Sequence, residues 1–289
     1  MVHAWREYTE TELKQLHTVL YDLIAEFDRV CRLLHIPYVA IGGTAIGALY
    51  DKAILPWDDD VDLGVLRRDY ETFIREAPAL LGPDYFLSTP QSNPNNPFHF
   101  VKLRRNGTAF VEELTKDIQM HQGIYIDIFP FDKVPNNKIL RRIQREEVNF
   151  LKCCIIGKEV WIWKYLGHCA ISHPTDRGFI MCLLTRIANL IFTKQQLLSL
   201  MRHISTQYAN TKTEYYNNVM TNTDFITEEE IKHPIRIPFG PITIMVAPDV
   251  EKFLKRSYPR LHRYNIEEQK QVGNHCPYKL SFIEHDIDI

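Results

Sequence analysis

The residues best suited to chemistry in this sequence are the aspartates of the run Asp58-Asp59-Asp60-Val61-Asp62. Polar and apolar residues alternate from 59 to 65, which predicts a strand. Asp60 and Asp62 would then leave the same face of that strand. Two converging carboxylates repel each other, and they stay ionised at low cost only when a cation lies between them. Hard oxygen ligands of this kind suit Mg²⁺ or Mn²⁺.

A further candidate ligand is Asp127, which lies within the apolar run 124–129, a second predicted strand that we expect to end at Pro130. A charge in such a run is costly unless it is paired or bound to metal. Asp60, Asp62 and Asp127 could together hold one or two metal ions, an arrangement that fits in-line phosphoryl or nucleotidyl transfer.

Other interpretations of the acidic run fit the sequence less well. An isolated acidic run is usually a solvated turn, but its apolar flanks and Asp127 argue against that here. A calcium-binding EF-hand loop fails because its sixth position is Leu63 rather than glycine and its twelfth is Asp69 rather than glutamate. A haloacid-type phosphatase or a glycosyltransferase could also use an Asp-x-Asp pair, but neither explains the glycine pair upstream.

That glycine pair is Gly42-Gly43, followed by Thr44, between a predicted buried strand at 38–41 and a predicted short helix at 44–51. Glycines let the backbone approach a ligand closely, and amides at a helix N-terminus suit a phosphate. The dipeptide alone is equally consistent with a plain tight turn. Together with an Asp-x-Asp some seventeen residues later, it matches the pattern of the nucleotidyltransferase fold.

The remaining elements predict an α+β protein, a nucleotidyltransferase-like mixed β-sheet flanked by helices and carrying a helical insertion. An amphipathic helix is expected at 10–35, opened by a capping box between Thr9 and Glu12. Another helix is expected at 67–81, a hairpin at Asn106-Gly107, strands within 235–247 and a last helix from Pro248 to about residue 258. We expect a catalytic core with the N-terminal helix at 1–135, a helical subdomain at 136–232, and C-terminal strands and a helix packing back on the core at 233–289.

Bulk properties exclude some classes of protein. The 289 residues carry 34 basic and 36 acidic side chains, a net charge of −2, which disfavours a nucleic-acid polymerase or another nucleic-acid partner. The six cysteines form no Cys-x-x-Cys pair, which predicts free, mostly buried thiols rather than a zinc cage. The start of the chain lacks the apolar core of a signal peptide, and no run reaches the ~18 apolar residues of a membrane span. We therefore expect a cytoplasmic protein. His99 and His121 are expected to be structural or substrate-facing.

Residues 138–164 mix basic, aromatic and aliphatic side chains. We favour an ordinary helical subdomain with a solvated basic face. The alternative is a surface helix that contacts the inner face of a membrane, where a lipid-linked acceptor would be within reach. The apolar run 181–192 is expected to lie in the core.

Four stretches of the sequence resemble the LicD family, which includes the fukutin-type proteins. They are Gly42 to Gly47, Leu55-Pro56-Trp57-Asp58-Asp59-Asp60-Val61-Asp62, Lys102-Leu103-Arg104, and Gly123 to Asp132. The resemblance covers roughly residues 38–132, and its Pro-Trp-Asp-Asp-Asp-x-Asp block is highly specific.

This resemblance implies transfer of phosphocholine, ribitol phosphate or a similar group from a CDP-linked donor. The implied acceptors are sugars of surface polysaccharide, lipopolysaccharide, teichoic acid or glycoprotein. In this sequence Asp60, Asp62 and Asp127 would be the metal ligands, Gly42, Gly43 and Thr44 the donor-phosphate turn, and Lys102 and Arg104 the groups that neutralise the diphosphate. Either Asp127 or Asp58 would accept the proton of the attacking sugar hydroxyl. The same residues are also consistent with a nucleotidyltransferase that attaches a nucleoside monophosphate to a small molecule and releases pyrophosphate. A non-catalytic binding protein is a third possible function.

Overall fold

A computed structural model describes residues 8–161, 176–219, 223–259, 275 and 277–282, with the side chains of the second range described from 180. The strands are β1 (Tyr38–Ala40), β2 (Asp62–Leu66), β3 (Tyr85–Ser88), β4 (Val101–Arg105), β5 (Ala109–Val111), β6 (Tyr125–Lys133), β7 (Tyr216–Asn217), β8 (Ile235–Phe239), β9 (Ile242–Val246) and β10 (Lys279–Ser281). The helices are α1 (Glu10–Leu34), α2 (Gly42–Tyr50), α3 (Arg67–Glu76), α4 (Lys138–Ile156), α5 (Asp176–Ile191), α6 (Lys194–Thr206), α7 (Glu228–Lys232) and α8 (Val250–Ser257).

A mixed sheet of six strands lies at the centre of the protein. Its order is β1-β2-β6-β4-β3, and β7 pairs with the far end of β6. The pair β2–β6 is parallel, and the other pairs of this sheet are antiparallel. Helices flank the sheet, so the predicted α+β class and the nucleotidyltransferase-like core are confirmed.

Helix α1 packs its apolar face against this sheet. The predicted capping box is present, with the Thr9 hydroxyl accepting from the Glu12 amide and the Glu12 side chain accepting from Thr9. The helix ends at His35, whose left-handed φ of 55° turns the chain before Pro37. Leu20 and Phe27 are fully buried on the inner face, and burying a side chain of this size stabilises the fold by about 1.5–3 kcal/mol.

Several predicted boundaries were wrong. β2 begins at Asp62, so Asp60 lies in the preceding loop rather than on the strand. α3 ends at Glu76 and is followed by a short 3₁₀ turn, because Pro78 cannot continue an α-helix. β6 continues through Pro130 to Lys133. On one edge of β6, the pairing with β4 ends at Ile128 and the pairing with β7 begins at Asp132. Pro130 lies between these two pairings, so its missing N–H removes no hydrogen bond of the sheet on that edge.

The hairpin predicted at Asn106-Gly107 is also wrong, although the turn itself exists. Gly107 has a φ of +71°, as a turn of this kind requires. β4 is already paired on both edges, with β3 and β6, so β5 cannot pair with it. Instead β5 pairs with β10, near the end of the described chain.

The C-terminal strands form a hairpin, β8–β9, that turns at Gly240, and Pro238 lies within β8 rather than interrupting it. The last helix, predicted from Pro248 to about residue 258, is α8, which begins at Val250 after Asp249 and ends at Ser257. The Asp249 side chain accepts from the Lys252 amide and caps the helix.

Helices α4 to α6 confirm the helical character of the region after residue 137. The prediction that 181–192 lies in the core holds only for the face of α5 toward α4, where Cys182 and Thr185 are buried. The opposite face exposes large aliphatic side chains in the part of the chain that the structure describes: Ile180, Leu183, Leu184, Ile187, Leu190 and Ile191. Within the described residues, no helix combines the length and apolarity that crossing a membrane requires. The last three residues of the basic segment 138–164 lie outside the described residues.

The cysteines that the structure describes confirm the prediction of buried free thiols. They are Cys31, Cys153, Cys154 and Cys182. Cys169 and Cys276 lie outside the described residues.

Candidate active site

Asp62, Asp127 and Lys102 form one row across three neighbouring strands. Asp62 on β2 lies directly opposite Asp127 on the parallel strand β6, and Asp127 lies directly opposite Lys102 on the antiparallel strand β4. Side chains of directly opposed residues project from the same face of a sheet. The sheet register therefore brings two of the three predicted metal ligands together.

Asp127 and Lys102 are joined by a buried ion pair. The Lys102 Nζ lies 2.7 and 3.0 Å from the two carboxylate oxygens of Asp127. The ammonium group also lies 3.5 Å from the centre of the Tyr125 ring. Burial raises the pKa of Asp127, and the charge and hydrogen bond of Lys102 oppose that rise. Lys102 thus neutralises Asp127 in the ligand-free protein, whereas the predicted role was to neutralise a diphosphate.

Arg104, the second predicted diphosphate group, lies two residues further along β4 and so on the same face as Lys102. It is buried, and its Nη1 donates to the Gly123 carbonyl at 2.9 Å. Its Nε has no hydrogen-bond partner among the described residues. A buried charged donor without a partner is costly, so the Nε of Arg104 can take an acceptor beyond those that the described residues provide.

Asp58, Asp59 and Asp60 converge in the loop before β2. Each can place one carboxylate oxygen within 4.8 Å of the others. Burial, followed by the charge of Asp60, raises the pKa of Asp58 to about 9. Burial also raises the pKa values of Asp60 and Asp62, and Asp60 adds repulsion at Asp62. These hard oxygen donors carry more negative charge than their neighbours offset, so they fit a divalent cation.

Asp59 differs from its neighbours because the protein already uses its oxygens. The Tyr8 hydroxyl donates to Asp59 Oδ2 at 2.6 Å, and the backbone N–H of His275 donates to the same oxygen at 2.7 Å. The His275 ring nitrogen Nδ1 lies 3.1 Å from Oδ1. Asp59 therefore holds Tyr8 and His275, from two distant parts of the chain, next to the acidic loop by hydrogen bonds.

His275 also contributes positive charge to the site. Burial disfavours its charged form, but the hydrogen bond with Asp59 and the charge of Asp60 outweigh burial and raise the pKa of His275 well above its usual value. Its ring Nδ1 lies 3.8 Å from Asp60 Oδ2.

The predicted phosphate turn packs directly against the acidic residues. Gly42 and Gly43 are the first residues of α2, which starts two residues earlier than expected, and Gly42 has a φ of +52°. A Cβ atom at Gly42 would lie 3.5 Å from Asp62 Oδ2, and one at Gly43 would lie 2.8 Å from Asp58 Oδ2. The Thr44 hydroxyl accepts from the Asp62 amide at 2.9 Å, so Thr44 fixes the start of β2. The Gly42 amide donates to Asp224 Oδ1 at 3.1 Å.

His99 and His121, expected to be structural or substrate-facing, both make packing contacts. His99 lines a cavity of about 60 Å³ together with Arg67 and Asp132, and burial lowers its pKa to about 3. His121 stacks on Phe86, and burial, followed by the charge of Arg104, lowers its pKa to about 4. These contacts support the structural interpretation of both.

Sequence reasoning missed Tyr8, Asp224 and His275. Each reaches the site from a segment distant in sequence, His275 from 216 residues beyond Asp59 and Asp224 from 182 residues beyond Gly42. No local motif marks any of them, and only the packing of distant segments of the chain against the core reveals them.

Opposed carboxylates on neighbouring strands, next to a glycine-led helix start on a mixed sheet, define a nucleotidyltransferase-like domain. Residues 35–153 match the sequence model of the family described as LicD/FKTN/FKRP, nucleotidyltransferase domain. The chain is also 23% identical over 194 residues to the lipopolysaccharide cholinephosphotransferase LicD of Haemophilus influenzae, a match that covers 64% of this chain and 65% of that relative. The match thus spans slightly less than two thirds of the relative's length. Residues 35–153 are thus similar to the nucleotidyltransferase domain of the LicD family.

Proposed function

We propose that this protein transfers a phosphorylated small group, phosphocholine-like or a polyol phosphate, from a CDP-activated donor to a sugar hydroxyl of a cell-surface glycan, and that the transfer depends on Mg²⁺ or Mn²⁺. The observation that carries the proposal is the direct opposition of Asp62 and Asp127 beside the Gly42 turn. A carboxylate pair next to backbone amides offers adjacent places for a cation and for the phosphate that it neutralises. The name of the Haemophilus relative supports the phosphocholine-like group and the lipopolysaccharide acceptor.

Asp60, Asp62 and Asp127 would hold the metal, with Asp58 next to them. When bound, the cation supplies charge stabilisation for the reacting phosphate. Because Asp127 is paired with Lys102, it could bind the metal in one of two ways. Its two oxygens could contact both the metal and Lys102, or Lys102 could turn away from Asp127 toward the donor. The Nε of Arg104, which has no partner in the part of the chain that the structure describes, supports a role in binding the diphosphate.

In the proposed reaction the sugar hydroxyl oxygen forms a bond to the phosphorus of the transferred group, and the bond from that phosphorus to the nucleotide oxygen breaks. The hydroxyl proton passes to a carboxylate, either Asp127 or Asp58. Cytidine monophosphate leaves, and Lys102 and Arg104 stabilise its negative charge.

We further propose that the protein acts in the cytoplasm at the inner face of the membrane, on a glycan or lipid-linked oligosaccharide. The exposed aliphatic face of α5 supports such a peripheral contact, because an apolar helix face can enter the boundary between headgroups and acyl chains.

The test supplies purified protein with Mg²⁺ and a panel of CDP-alcohols, including CDP-choline and CDP-ribitol, and measures cytidine monophosphate with and without crude glycan. We expect glycan-dependent release by the wild type and loss of at least about a thousandfold in Asp62→Asn. Asp249→Asn is the matched control, since asparagine also caps helices and Asp249 lies outside the site.

Wild-type turnover in Asp62→Asn would contradict the assignment of the site. Release of pyrophosphate from a nucleoside triphosphate, with no reaction of CDP-alcohols, would favour the nucleotidyltransferase alternative. Binding of nucleotide without turnover of any substrate would favour a binding protein.

A further inference from the structure

Asp224 reaches into the predicted phosphate turn from a distant segment of the chain. It is buried, with 4% of its surface exposed, and it has a left-handed φ of 60°. Its Oδ1 accepts from the Gly42 amide at 3.1 Å, and its Oδ2 accepts from the Thr223 hydroxyl at 2.8 Å. Both oxygens accept hydrogen bonds from described donors, as a carboxylate does. Burial raises the pKa of this carboxyl, and the hydrogen bonds from Thr223 and Gly42 oppose that rise.

The end of α8 holds this segment in place. The Ser257 hydroxyl oxygen accepts from the Asp224 amide at 2.6 Å and from the Phe225 amide at 3.2 Å. The neighbouring residue Arg256 donates to the Phe225 carbonyl and forms an ion pair with Glu230. Asp224 is therefore presented to Gly42 by an ordered set of contacts rather than by a chance side-chain conformation.

A carboxylate in this place takes the donor that a phosphate would use. Gly42 is the first residue of α2, and the amides at a helix N-terminus attract anions through unpaired N–H groups and the helix dipole. The same residue adjoins Asp62, so a phosphate bound here would lie next to the candidate metal ligands. It would also meet the Asp224 carboxylate at close range, and two like charges at one amide repel each other.

We propose that Asp224 occupies the phosphate position of the Gly42 turn in the donor-free protein, and that the donor phosphate displaces its carboxylate when it binds. Asp224 would then compete with the donor while keeping the turn in its binding geometry. The apparent affinity for the donor equals the intrinsic affinity multiplied by the fraction of molecules in which the Asp224 carboxylate has left the Gly42 amide. This inference rests on the proposed function, because it assumes that a nucleotide diphosphate binds at the turn.

The experiment measures the dissociation constant of CDP in the presence of Mg²⁺ by calorimetry for three variants and the wild type. Asp224→Asn keeps an acceptor for the Gly42 amide but removes the charge, so we expect CDP to bind about tenfold more tightly. Ser257→Ala leaves the charge but removes the two hydrogen bonds that hold the segment, and we expect a severalfold gain. Asp249→Asn, which also removes one carboxylate, is expected to leave the dissociation constant unchanged.

Weaker or unchanged binding in both Asp224→Asn and Ser257→Ala, with the wild type binding CDP, would overturn the inference and leave the proposed function standing. Failure of CDP to bind the wild type and all variants would overturn the proposed function itself. Thermal unfolding identifies any variant that does not fold. If Asp224→Asn does not fold, Ser257→Ala alone decides the question. A supporting role for Asp224 predicts that Ser257→Ala binds CDP more weakly, and a competing role predicts that it binds CDP more tightly.

Discussion

Lys102 and Asp127 form an ion pair in the middle of the sheet in which the lysine side chain is 2% and the aspartate side chain 8% exposed. The pair connects β4 with β6 through side chains at directly opposed positions. Burial raises the pKa of Asp127, and the charge and hydrogen bond of Lys102 oppose that rise. The pair therefore belongs both to the stability of the sheet and to the candidate site.

Lys102→Met is expected to destabilise the protein by roughly 3–5 kcal/mol, because it leaves a buried carboxylate without its partner. The double variant Lys102→Met/Asp127→Asn should regain much of this loss, since no unpaired charge remains. Urea unfolding followed by circular dichroism measures both. Lys255→Met is the control: its surface pair with Glu251 should contribute little. Equal destabilisation in the single and double variants would show that the ion pair is not the cause.

The acidic loop predicts an unusual pH dependence of stability. The pKa of Asp58 is raised to about 9, far above its value in an unfolded chain. Between those values the folded state binds a proton that the unfolded state lacks, so stability falls as pH rises, by at most roughly 1.4 kcal/mol per pH unit for one proton. We expect the metal-free protein to unfold at lower urea concentration at pH 8 than at pH 5.

Added Mg²⁺ should reduce this pH dependence, because a bound cation replaces the proton as the neutralising charge. Asp58→Asn, which cannot ionise, should flatten the pH dependence even in EDTA. A metal-free wild type whose stability changes between pH 5 and pH 8 in the same way as that of Asp58→Asn would disprove this account of the loop.

Gly43→Ala tests the contact between the glycine turn and the acidic loop. The new Cβ would lie 2.8 Å from Asp58 Oδ2, so that carboxylate must move. The carboxylate ends a flexible side chain, and alanine suits a helix better than glycine, so we expect stability to change by less than about 1 kcal/mol. Turnover of the CDP-linked donor should fall by about tenfold or more, since small displacements of reacting groups are costly.

Steady-state kinetics in the background of Asp58→Asn supplies the control for this variant. If Gly43→Ala acts through Asp58, adding it to Asp58→Asn should have little further effect, because the two changes share one cause. Fully additive losses would place its effect elsewhere.

Tyr8→Phe tests how Asp59 is fastened. It removes a hydrogen bond to a buried carboxylate, which typically contributes about 1.5–3 kcal/mol. We expect a loss of stability in that range, measured by urea unfolding, and a smaller loss in the double variant with Asp59→Asn. Tyr278→Phe, at a largely exposed position, is the control and should change little. Equal stability of Tyr8→Phe and wild type would show that Asp59 does not depend on this bond.

Local signals in the sequence were sufficient for much of the architecture. The capping box at Thr9, the last helix after Pro248 and the turn at Gly107 depend on nearby residues, and each is present. Pairing partners were harder to predict. The Asn106-Gly107 turn indicated a hairpin, but the strand before it was already occupied on both edges, and that depends on the whole sheet.

The candidate site shows the same division. The opposition of Asp62 and Asp127 follows from a parallel pairing that no local pattern specifies, although each residue could be singled out as a charge in an apolar setting. The prediction that Asp60 lies on a strand was wrong because the alternation of polar and apolar residues begins at residue 59, three residues before β2. Tyr8, Asp224 and His275 could not have been predicted, because their contribution depends on how distant segments fold back.

The pairing of β5 with β10 and the contacts of His275 with Asp59 have a consequence for the order of folding. During synthesis the acidic loop emerges more than 200 residues before His275, and non-local contacts of this separation form slowly. The newly made core would therefore hold a group of mutually repelling carboxylates before His275, which offsets part of their charge, has been synthesised. A cation captured at that stage would act as a folding aid before it took part in any reaction.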